Sequence, residues 1–506
     1  FSTMSSGFSR LPPILGPPVI GIYISQWVGH FQGAIPPSPI VKLPEAVNIV
    51  NIGLPLFETS ARDQGASAIG VDWRIPGGGD VDVVAALGRL LGPKAAIIDK
   101  ANTEVIHRLN EGVPLLKGVE SAGAVIPNMG ARSVLHCGPA IDWDDMPNPL
   151  QRSIKATIVA EGWASDIASA ATLVTSGEID LKPANESSTV VPMATSIGPS
   201  APVYIVENKF GGTTTYSSVN QGSGEVAWFG VDNENAIERL RFLRDAVGPV
   251  LAEVISASDD IDILSLAAQG VPMGDDVHMR VQATTNLFLR NLLPHLVASS
   301  HDRATEVASF LSANHLMFLN VAMAAAKSLV DSAITVENSS IVTTMSRNGA
   351  TYGIRLPGAS GRWHITASPP IQDALYYPGQ GPETSAPDIG DSAVLELIGL
   401  GGPAAANSPA VAGFLGGRMS DAIAATRSMQ RICAGESIRF RLPILDNIGT
   451  PLGVDVRKVA ELSVTPAVNT GIIHISDGSG QVGAGVAWAP LKCFIDALMD
   501  LDRRLA

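Results

Sequence analysis

The chain has 506 residues, too many for one hydrophobic core, and its length indicates about three domains. Hydrophobic residues make up 46% and charged residues 16% of the chain, which excludes the disordered class and predicts large buried cores. The formal net charge is -14, and no window concentrates Lys and Arg, so the composition argues against nucleic acid as a partner.

The cysteine pattern bears on redox compartment and on metal binding. Cys137, Cys433 and Cys493 are widely spaced and form no CxxC pair. This usage is typical of reduced cytosolic thiols and gives no zinc-site spacing. We therefore expect a cytoplasmic protein.

Two apolar segments could be mistaken for membrane or targeting elements. The first, residues 11–31, has four prolines among its first eight residues and lacks the basic-then-apolar layout of a signal peptide, so we interpret 1–44 as an arm packed on a domain or a neighbouring subunit. The second, residues 310–330, carries two asparagines, a histidine and a lysine, which hydrocarbon disfavours. We expect it to be a buried helix and predict no membrane partner.

In chain order, the patterns predict a multidomain protein of the α/β and α+β classes. Residues 45–145 open with a β-α-β pattern and are predicted to form a Rossmann-like domain with a parallel sheet, although the GxGxxG loop of dinucleotide sites is missing. Residues 146–260 mix helices and strands, which indicates an α+β domain. Residues 261–332 are predicted to be mostly helical, and residues 333–506 to form a strand-rich C-terminal α+β domain.

The stretch "MGDDVHMR" places several polar residues just before an apolar helical pattern. If a helix begins near Gly274, Asp275 and His278 share one face, as do Asp276 and Arg280. One interpretation makes Asp275 a helix cap and Arg280 a surface ion-pair partner. The other makes His278 a general base held by a carboxylate, with Asp275 also catalytic and Arg280 binding an anion. Both remain open.

Two further histidines follow strand patterns. His136 comes directly after an apolar strand and before a Gly-Pro loop, where α/β sheets bring side chains to a ligand crevice. His474 lies on a strand beside a loop with four glycines, which permit close approach of backbone to a ligand. We predict His136 as catalytic and His474 as substrate-binding, with simple packing and a flexible hairpin as the alternatives.

Polar residues beside glycine-rich bends are the remaining candidates for substrate binding. Asn208, Lys209 and Asn220 lie in a stretch whose backbone amides could cradle an anion, but which lacks the Walker A spacing. Arg347 and Asn348 precede Gly349, so Arg347 could pair with a carboxylate, while an Asn-Gly turn alone also explains the pattern.

A group of acidic residues follows this region. Asp388, Asp391 and Glu396 could hold a divalent ion but lack the EF-hand layout and supply few ligands. We predict neither a metal nor a cofactor.

From residue 45 onward, these strings together resemble the YlbE-like (AllG-like) family. They occur in the family's order and near its spacing: "VNIVNIGLPLF", "LHCGPAIDW", "MGDDVHMR", "MSRNGATYGIR" and "NTGIIHISDGSGQVGAG". The genes of the family lie beside those of an FdrA-like, succinyl-CoA-synthetase-like protein and a carbamate kinase. The resemblance implies a subunit of an oxamate carbamoyltransferase, which converts oxalurate and phosphate to oxamate and carbamoyl phosphate.

Matches and departures from the family pattern bear on activity. The matching residues are His136, Asn208, Lys209, Asp275, His278, Arg347, Asn348, Asp391 and His474. The departures are Val277, Met279 and Val281 in place of polar residues, Gln221 in place of an acid and Leu316 in place of a histidine. Loss of polar groups from a pocket removes contacts worth about 1.5–3 kcal/mol each, enough to change the substrate or abolish turnover.

Three hypotheses for function follow. The first is a subunit of a carbamoyl-transferring complex that acts on a small ureide- or oxamate-like anion and on phosphate, within a homo- or hetero-oligomer. The second is a non-catalytic scaffold or regulatory subunit bound to an FdrA-like partner. The third is a stand-alone enzyme that depends on CoA or a nucleotide.

Overall fold

In a computed structural model, the residues described are 47–52, 54–71 and 75–506. The N-terminal arm predicted for residues 1–44 lies outside this range. The chain divides into two compact units, one ending at Asp72 and the other beginning at Trp73.

The strands and helices of both units are numbered in chain order. The strands are β1 (Asn48–Ile52), β2 (Ser67–Val71), β3 (Pro114–Ser121), β4 (Ser133–His136), β5 (Asp180–Pro183), β6 (Thr189–Val190), β7 (Ser196–Ile197), β8 (Pro202–Asn208), β9 (Thr214–Ser218), β10 (Ile261–Asp262), β11 (Thr344–Asn348), β12 (Thr351–Arg355), β13 (His364–Ala367), β14 (Asp373–Tyr376), β15 (Ile389–Gly390), β16 (Cys433–Leu442), β17 (Ile448–Val454), β18 (Ala467–Ile473) and β19 (Gln481–Trp488). The helices are α1 (Pro55–Asp63), α2 (Val81–Leu91), α3 (Ala95–Glu111), α4 (Ala122–Val125), α5 (Asn148–Ala160), α6 (Ile167–Thr175), α7 (Glu234–Phe242), α8 (Gly248–Ser256), α9 (Ile263–Gly270), α10 (Gln282–Ala298), α11 (Ala304–Ala313), α12 (Met317–Ala333), α13 (Val394–Leu397), α14 (Pro409–Phe414), α15 (Met419–Ile432), α16 (Val456–Leu462) and α17 (Leu491–Arg504).

In its described part the first unit is a β-α-β unit, in which β1 and β2 pair in parallel around α1. The predicted extension of this parallel sheet through residue 145 is wrong. Strand β3 pairs antiparallel with β8, and β4 lies between β5 and β7, so their partners come from beyond residue 145. The physical reason is that an apolar strand pattern reports burial and carries no information on which strand completes the backbone hydrogen bonds.

The second unit is a mixed α/β and α+β structure with several sheets. Its five-stranded sheet has the order β10-β3-β8-β9-β6, and a four-stranded sheet has the order β13-β12-β11-β15. A three-stranded sheet, β14-β19-β18, and the hairpin β16-β17 complete the C-terminal half. A continuous apolar cluster runs from Val83 to Leu501 and joins these layers.

Helix α12 packs against β8 and β9 in the interior of this unit. All of its residues except Asp331 are buried, as expected for a segment of alanine, leucine, methionine and valine. Asn320 within it is satisfied by the Asn220 side chain and by the carbonyl of Ser218. Among the residues described, no single helix is long and apolar enough to cross a membrane, and the bent pair α11 and α12 passes such a test only when taken together.

Candidate functional site

The polar stretch before α10 forms a loop, residues 274–281, and not the start of a helix. Gly274 has φ of +102° and Val277 has φ of +61°, and both values interrupt helical geometry. A β-branched residue in the left-handed region is rare and strained. Helix α10 therefore begins at Gln282, and the predicted helix start near Gly274 is wrong.

Asp275 caps α10 from within this loop. Its Oδ2 accepts hydrogen bonds from the backbone nitrogen of Thr284 at 2.8 Å and from the Thr284 hydroxyl at 3.0 Å. Its Oδ1 lies 3.4 Å from Nη1 of the half-exposed Arg280, and burial raises the pKa of Asp275. The capping interpretation of Asp275 and Arg280 therefore accounts for their contacts, and their catalytic and substrate-binding roles stay predictions.

His278 is held by Glu396, which lies in α13. Its Nδ1 is 2.7 Å from Glu396 Oε1, and the two side chains are 3% and 0% exposed. The same Oε1 accepts hydrogen bonds from the backbone nitrogens of Gly402 and Asn469. A neutral histidine that donates Nδ1–H to this carboxylate keeps its Nε2 lone pair for proton transfer. The pair thus has the arrangement of an oriented general base.

Glu396 Oε2 is buried and has no hydrogen-bond partner among the described residues. An unpaired buried oxygen of this kind costs about 1–3 kcal/mol, more when charged. Such a group needs an explanation, and a catalytic role is one that proteins commonly give it.

Asp276 fastens the 274–281 loop to its surroundings. Its carboxylate accepts hydrogen bonds from the backbone nitrogens of Met279 and Arg280 and from the side-chain amide of Asn469. Its backbone carbonyl accepts from the nitrogen of Gly401 at 2.7 Å. His278 is consequently held in place by the strained backbone of Val277, by the hydrogen bonds of Asp276 and by Asn469, which lies in β18.

His278 lines a small cavity of about 40 Å³. The other walls are mostly apolar and come from Trp228, Phe229, Leu316, Leu319 and Met193, with Ser392 and Gln481 as polar members. Leu316, where the family resemblance leads us to expect a histidine, is therefore one of the groups that make this cavity apolar.

Arg347 lies in a second polar cluster and is fully buried. Its Nε and Nη2 donate to both carboxylate oxygens of Asp388 at 2.7 and 2.8 Å, and its Nη1 donates to the carbonyl of Gly390. The guanidinium that was predicted to bind a substrate carboxylate is thus engaged by a carboxylate of the protein itself. Its substrate-binding role stays a prediction.

Asp391 and Asn348 belong to the same region. The Asp391 carboxylate accepts hydrogen bonds from the nitrogens of Gly138 and Val191 and from the Ser346 hydroxyl, and burial raises its pKa to about 6. Asn348 closes the β11–β12 turn, since its Oδ1 accepts from the nitrogens of residues 350 and 351. The turn interpretation explains the contacts of Asn348, and its predicted role in substrate binding is untested.

The remaining predicted site residues occupy separate environments. His136 ends β4, and its Nδ1 lies 2.8 Å from the Cys137 carbonyl oxygen, with its pKa lowered by burial. Asn208 ends β8 and is bonded to its own loop and to residue 113, while Lys209 is exposed and 3.5 Å from Asp260.

Asn220 and His474 are also engaged locally. Asn220 joins the amides of Asn314 and Asn320, and the ring of His474, one residue beyond β18, accepts backbone hydrogen bonds from residues 476 and 477. In the part of the chain that the structure describes, no hydrogen bond or ion pair joins His278 to His136, Arg347 or His474. The convergence of all these residues on one cleft remains unsupported.

Comparisons with known proteins place this chain in a family. The family model "Oxamate carbamoyltransferase subunit AllG" matches residues 179–392. The AllG protein of Escherichia coli (strain K12) is 36% identical over 406 residues, which cover 79% of this chain and 97% of that protein. The chain belongs to the AllG family.

Two other proteins are similar to this chain over similar lengths. The uncharacterized protein YahG of Escherichia coli (strain K12) is 33% identical over 458 residues, covering 90% of this chain and 97% of that protein. A crystal structure of a conserved protein of unknown function from Enterococcus faecalis V583 has a TM-score of 0.78 and 34% identity, covering 80% of this chain and 97% of that one. The fold of this chain is therefore similar to that of the solved Enterococcus faecalis protein.

The family model matches residues 179–392, a range that contains the 274–281 loop and Asp391. His136, Glu396 and His474 lie outside this range. Sequence reasoning missed Glu396 as the partner of His278. Its signal was a single acid within the apolar run 393–400, because a buried carboxylate is costly unless another group binds it. Among the described residues, no cluster of histidine, cysteine and acidic side chains has the arrangement of a metal site.

Proposed function

We propose that this chain is a subunit of a carbamoyl-transferring enzyme complex that acts on a small oxamate- or ureide-like anion. The observation that carries the proposal is the 36% identity along 97% of a protein named as an oxamate carbamoyltransferase subunit. Transfer would run to or from phosphate, and an FdrA-like protein would be the partner. The small anionic substrate and phosphate would both bind to the assembled complex.

The chemistry of the proposed transfer needs one proton to move at nitrogen. When the oxamate nitrogen attacks the carbamoyl carbon of carbamoyl phosphate, a C–N bond forms, the C–O bond to phosphate breaks, and a base must take the proton lost from nitrogen. In the reverse direction the same group returns the proton to the departing nitrogen. His278, oriented by Glu396 at 2.7 Å, is the group that we assign to this step.

One observation favours the second hypothesis, a non-catalytic subunit. The cavity beside His278 is small and mostly apolar, so it offers a carboxylate few polar partners. In that case His278 and Glu396 would be a structural pair, and the chemistry would take place on the FdrA-like partner.

The two candidates differ in what happens when His278 is replaced. The complex would be reconstituted from purified chain and FdrA-like partner, and carbamoyl phosphate formation from oxalurate and phosphate would be measured for wild type, His278→Ala and the exposed-residue control His107→Ala. The catalytic assignment predicts that His278→Ala lowers kcat by about 100-fold or more, with His107→Ala unchanged. Full activity of His278→Ala supports the scaffold, and an inactive wild-type complex contradicts the proposed function.

A further inference from the structure

A separate cleft of about 640 Å³ lies in the second unit and shares no lining residue with the cavity of His278. Helix α12 contributes Lys327 and Asp331 to it, and β12 contributes Arg355. Asn185 and Thr344 line another part of its wall. Its volume is in the range of ligand-binding clefts.

Arg355 is the least engaged cation of this cleft. None of the described residues accepts a hydrogen bond from its guanidinium, whose Cζ lies 5.3 Å from the ring centroid of Trp363. Burial lowers its pKa, so the charged group sits in a partly desolvated position. A guanidinium that packs on an aromatic ring and whose N–H groups make no hydrogen bond to the described residues is well suited to bind a carboxylate through two parallel hydrogen bonds.

Lys327 adds a second cation from the wall formed by α12. Its side chain is only 3% exposed, and its Nζ donates to Asp331 at 2.7 Å. Among the described residues Asp331 is its one hydrogen-bond acceptor, which leaves two N–H donors for a ligand. A lysine buried in an apolar helix is costly, and its position at a cleft gives the cost a functional reason.

Carboxylates also border the cleft. Asp331 is half-buried, and Glu186 and Glu337 are exposed at its edge. They would repel a multiply charged anion such as phosphate and would accept hydrogen bonds from N–H groups. The cleft therefore suits a ligand that combines a single negative charge with N–H donors.

We infer that this cleft binds a small carboxylate that carries an amide, of the oxamate class, with its carboxylate on Arg355 and Lys327 and its N–H groups toward the acidic wall. The choice of oxamate rests on the proposed function, and because the cleft shares no residue with the cavity of His278, it would be a second binding site on the chain, separate from the site of proton transfer. Asn185 is part of a fixed wall, because its Nδ2 donates to the Ser346 hydroxyl at 3.3 Å and that hydroxyl bonds to Asp391. A pre-ordered wall lowers the entropic cost of binding.

Isothermal titration calorimetry on the purified full chain tests the inference with three probes. They are oxamate, pyruvate, in which a methyl group replaces the amide nitrogen, and inorganic phosphate. We expect oxamate to bind at least tenfold more tightly than pyruvate or phosphate. No binding of oxamate, or equal binding of all three, would overturn the inference.

Variants locate the binding in the cleft. Arg355→Ala should weaken oxamate binding at least tenfold, and Arg355→Lys, which keeps the charge but loses the planar fork, should also weaken it. Arg290→Ala is the matched control, because Arg290 is exposed on α10 and does not line the cleft. Thermal unfolding of each variant confirms that the folded protein is measured, and unchanged affinity in both Arg355 variants would contradict the inference.

The outcome for the cleft is separable from that for the proposed function. If Arg355→Ala abolishes oxamate binding but the reconstituted complex forms no carbamoyl phosphate, the cleft assignment stands and the transferase proposal fails. If the complex is active and the Arg355 variants behave as wild type in both assays, the transferase proposal stands and the cleft assignment fails.

Discussion

His278 and Glu396 are separated by 118 residues in the chain, yet their side chains meet at 2.7 Å in the interior. Glu396 reaches this position from the short helix α13, and His278 from a loop in which the preceding Val277 adopts a left-handed backbone. A strained residue is retained only where the surrounding structure determines it strongly. The pair is therefore a built feature of the fold, and its charge and its geometry can be tested separately.

Replacement of Glu396 by Gln tests the charge. The glutamine keeps the oxygen that accepts from His278 and from two backbone nitrogens, and its nitrogen takes the place of Oε2, which has no partner to lose. We expect the midpoint of thermal unfolding to stay close to that of wild type, while kcat of the reconstituted complex falls roughly 100-fold. Glu111→Gln, at an exposed residue of α3 that lines neither the cavity nor the cleft, serves as the control for kcat. Unchanged kcat in Glu396→Gln would show that the carboxylate charge plays no part in turnover.

Replacement of Gly401 by Ala tests the geometry. A Cβ at Gly401 would lie 2.1 Å from Glu396 Oε1 and 3.2 Å from His278 Nδ1. Gly212 has nearly the same φ, +67° against +63°, and its Cβ would meet nothing within 4 Å. Gly212→Ala loses about 1–2 kcal/mol to strain at positive φ, whereas Gly401 combines positive φ with ψ of −126°, which is costlier for Ala, and its variant must in addition displace the pair. Urea unfolding and the transferase assay should both give larger losses for Gly401→Ala, and equal losses would mean that the pair is free to move.

Removal of the Arg347 side chain tests its structural role. In Arg347→Ala the fully buried Asp388 loses both of its charge-assisted hydrogen bonds. Breaking a buried pair from one side costs about 3–5 kcal/mol in free energy of unfolding. The exposed control Arg290→Ala should stay within about 0.5 kcal/mol of wild type in the same urea titration. If Arg347→Ala lowers the free energy of unfolding as little as the control does, the Arg347–Asp388 pair does not stabilise the fold.

The raised pKa of Asp391 predicts that the stability of the folded protein depends on pH. Its pKa in the folded protein is raised to about 6 by burial, above that of a free aspartate. The folded state thus binds the proton more tightly than the unfolded state, so this contribution is full below about pH 4 and is lost as pH rises through about 6. The difference is on the order of 3 kcal/mol.

Thermal unfolding of wild type and Asp391→Asn from pH 4 to pH 7 measures this contribution. The variant has no ionisable group at this position, so we expect its midpoint of thermal unfolding to fall less than that of wild type as the pH rises. Asp302→Asn, at a side chain that is 89% exposed, is the control and should follow wild type. Parallel profiles for wild type and Asp391→Asn would contradict the pKa shift.

Features set by neighbouring residues were predictable from sequence. The β-α-β unit β1-α1-β2 follows from two short apolar runs around an amphipathic segment, and α12 follows from a long apolar run with few charges. The turn at Asn348 follows from its Asn-Gly pair, and the cap at Asp275 was one of two open interpretations. For the cap and the turn the determining contacts lie within about ten residues, and for the other two elements the hydrophobic period of the segment itself carries the information.

What the sequence by itself determined was which segments are helical, extended or buried, because hydrophobic period, caps and turns are local properties. Only the tertiary structure decided that Glu396 holds His278, that Asp388 engages Arg347, and that Lys327 and Arg355 face one cleft. Partners in each of these cases are brought together by packing of distant segments. The free energy of such contacts depends on burial and on competing acceptors, and neither can be deduced from the order of residues in a single chain.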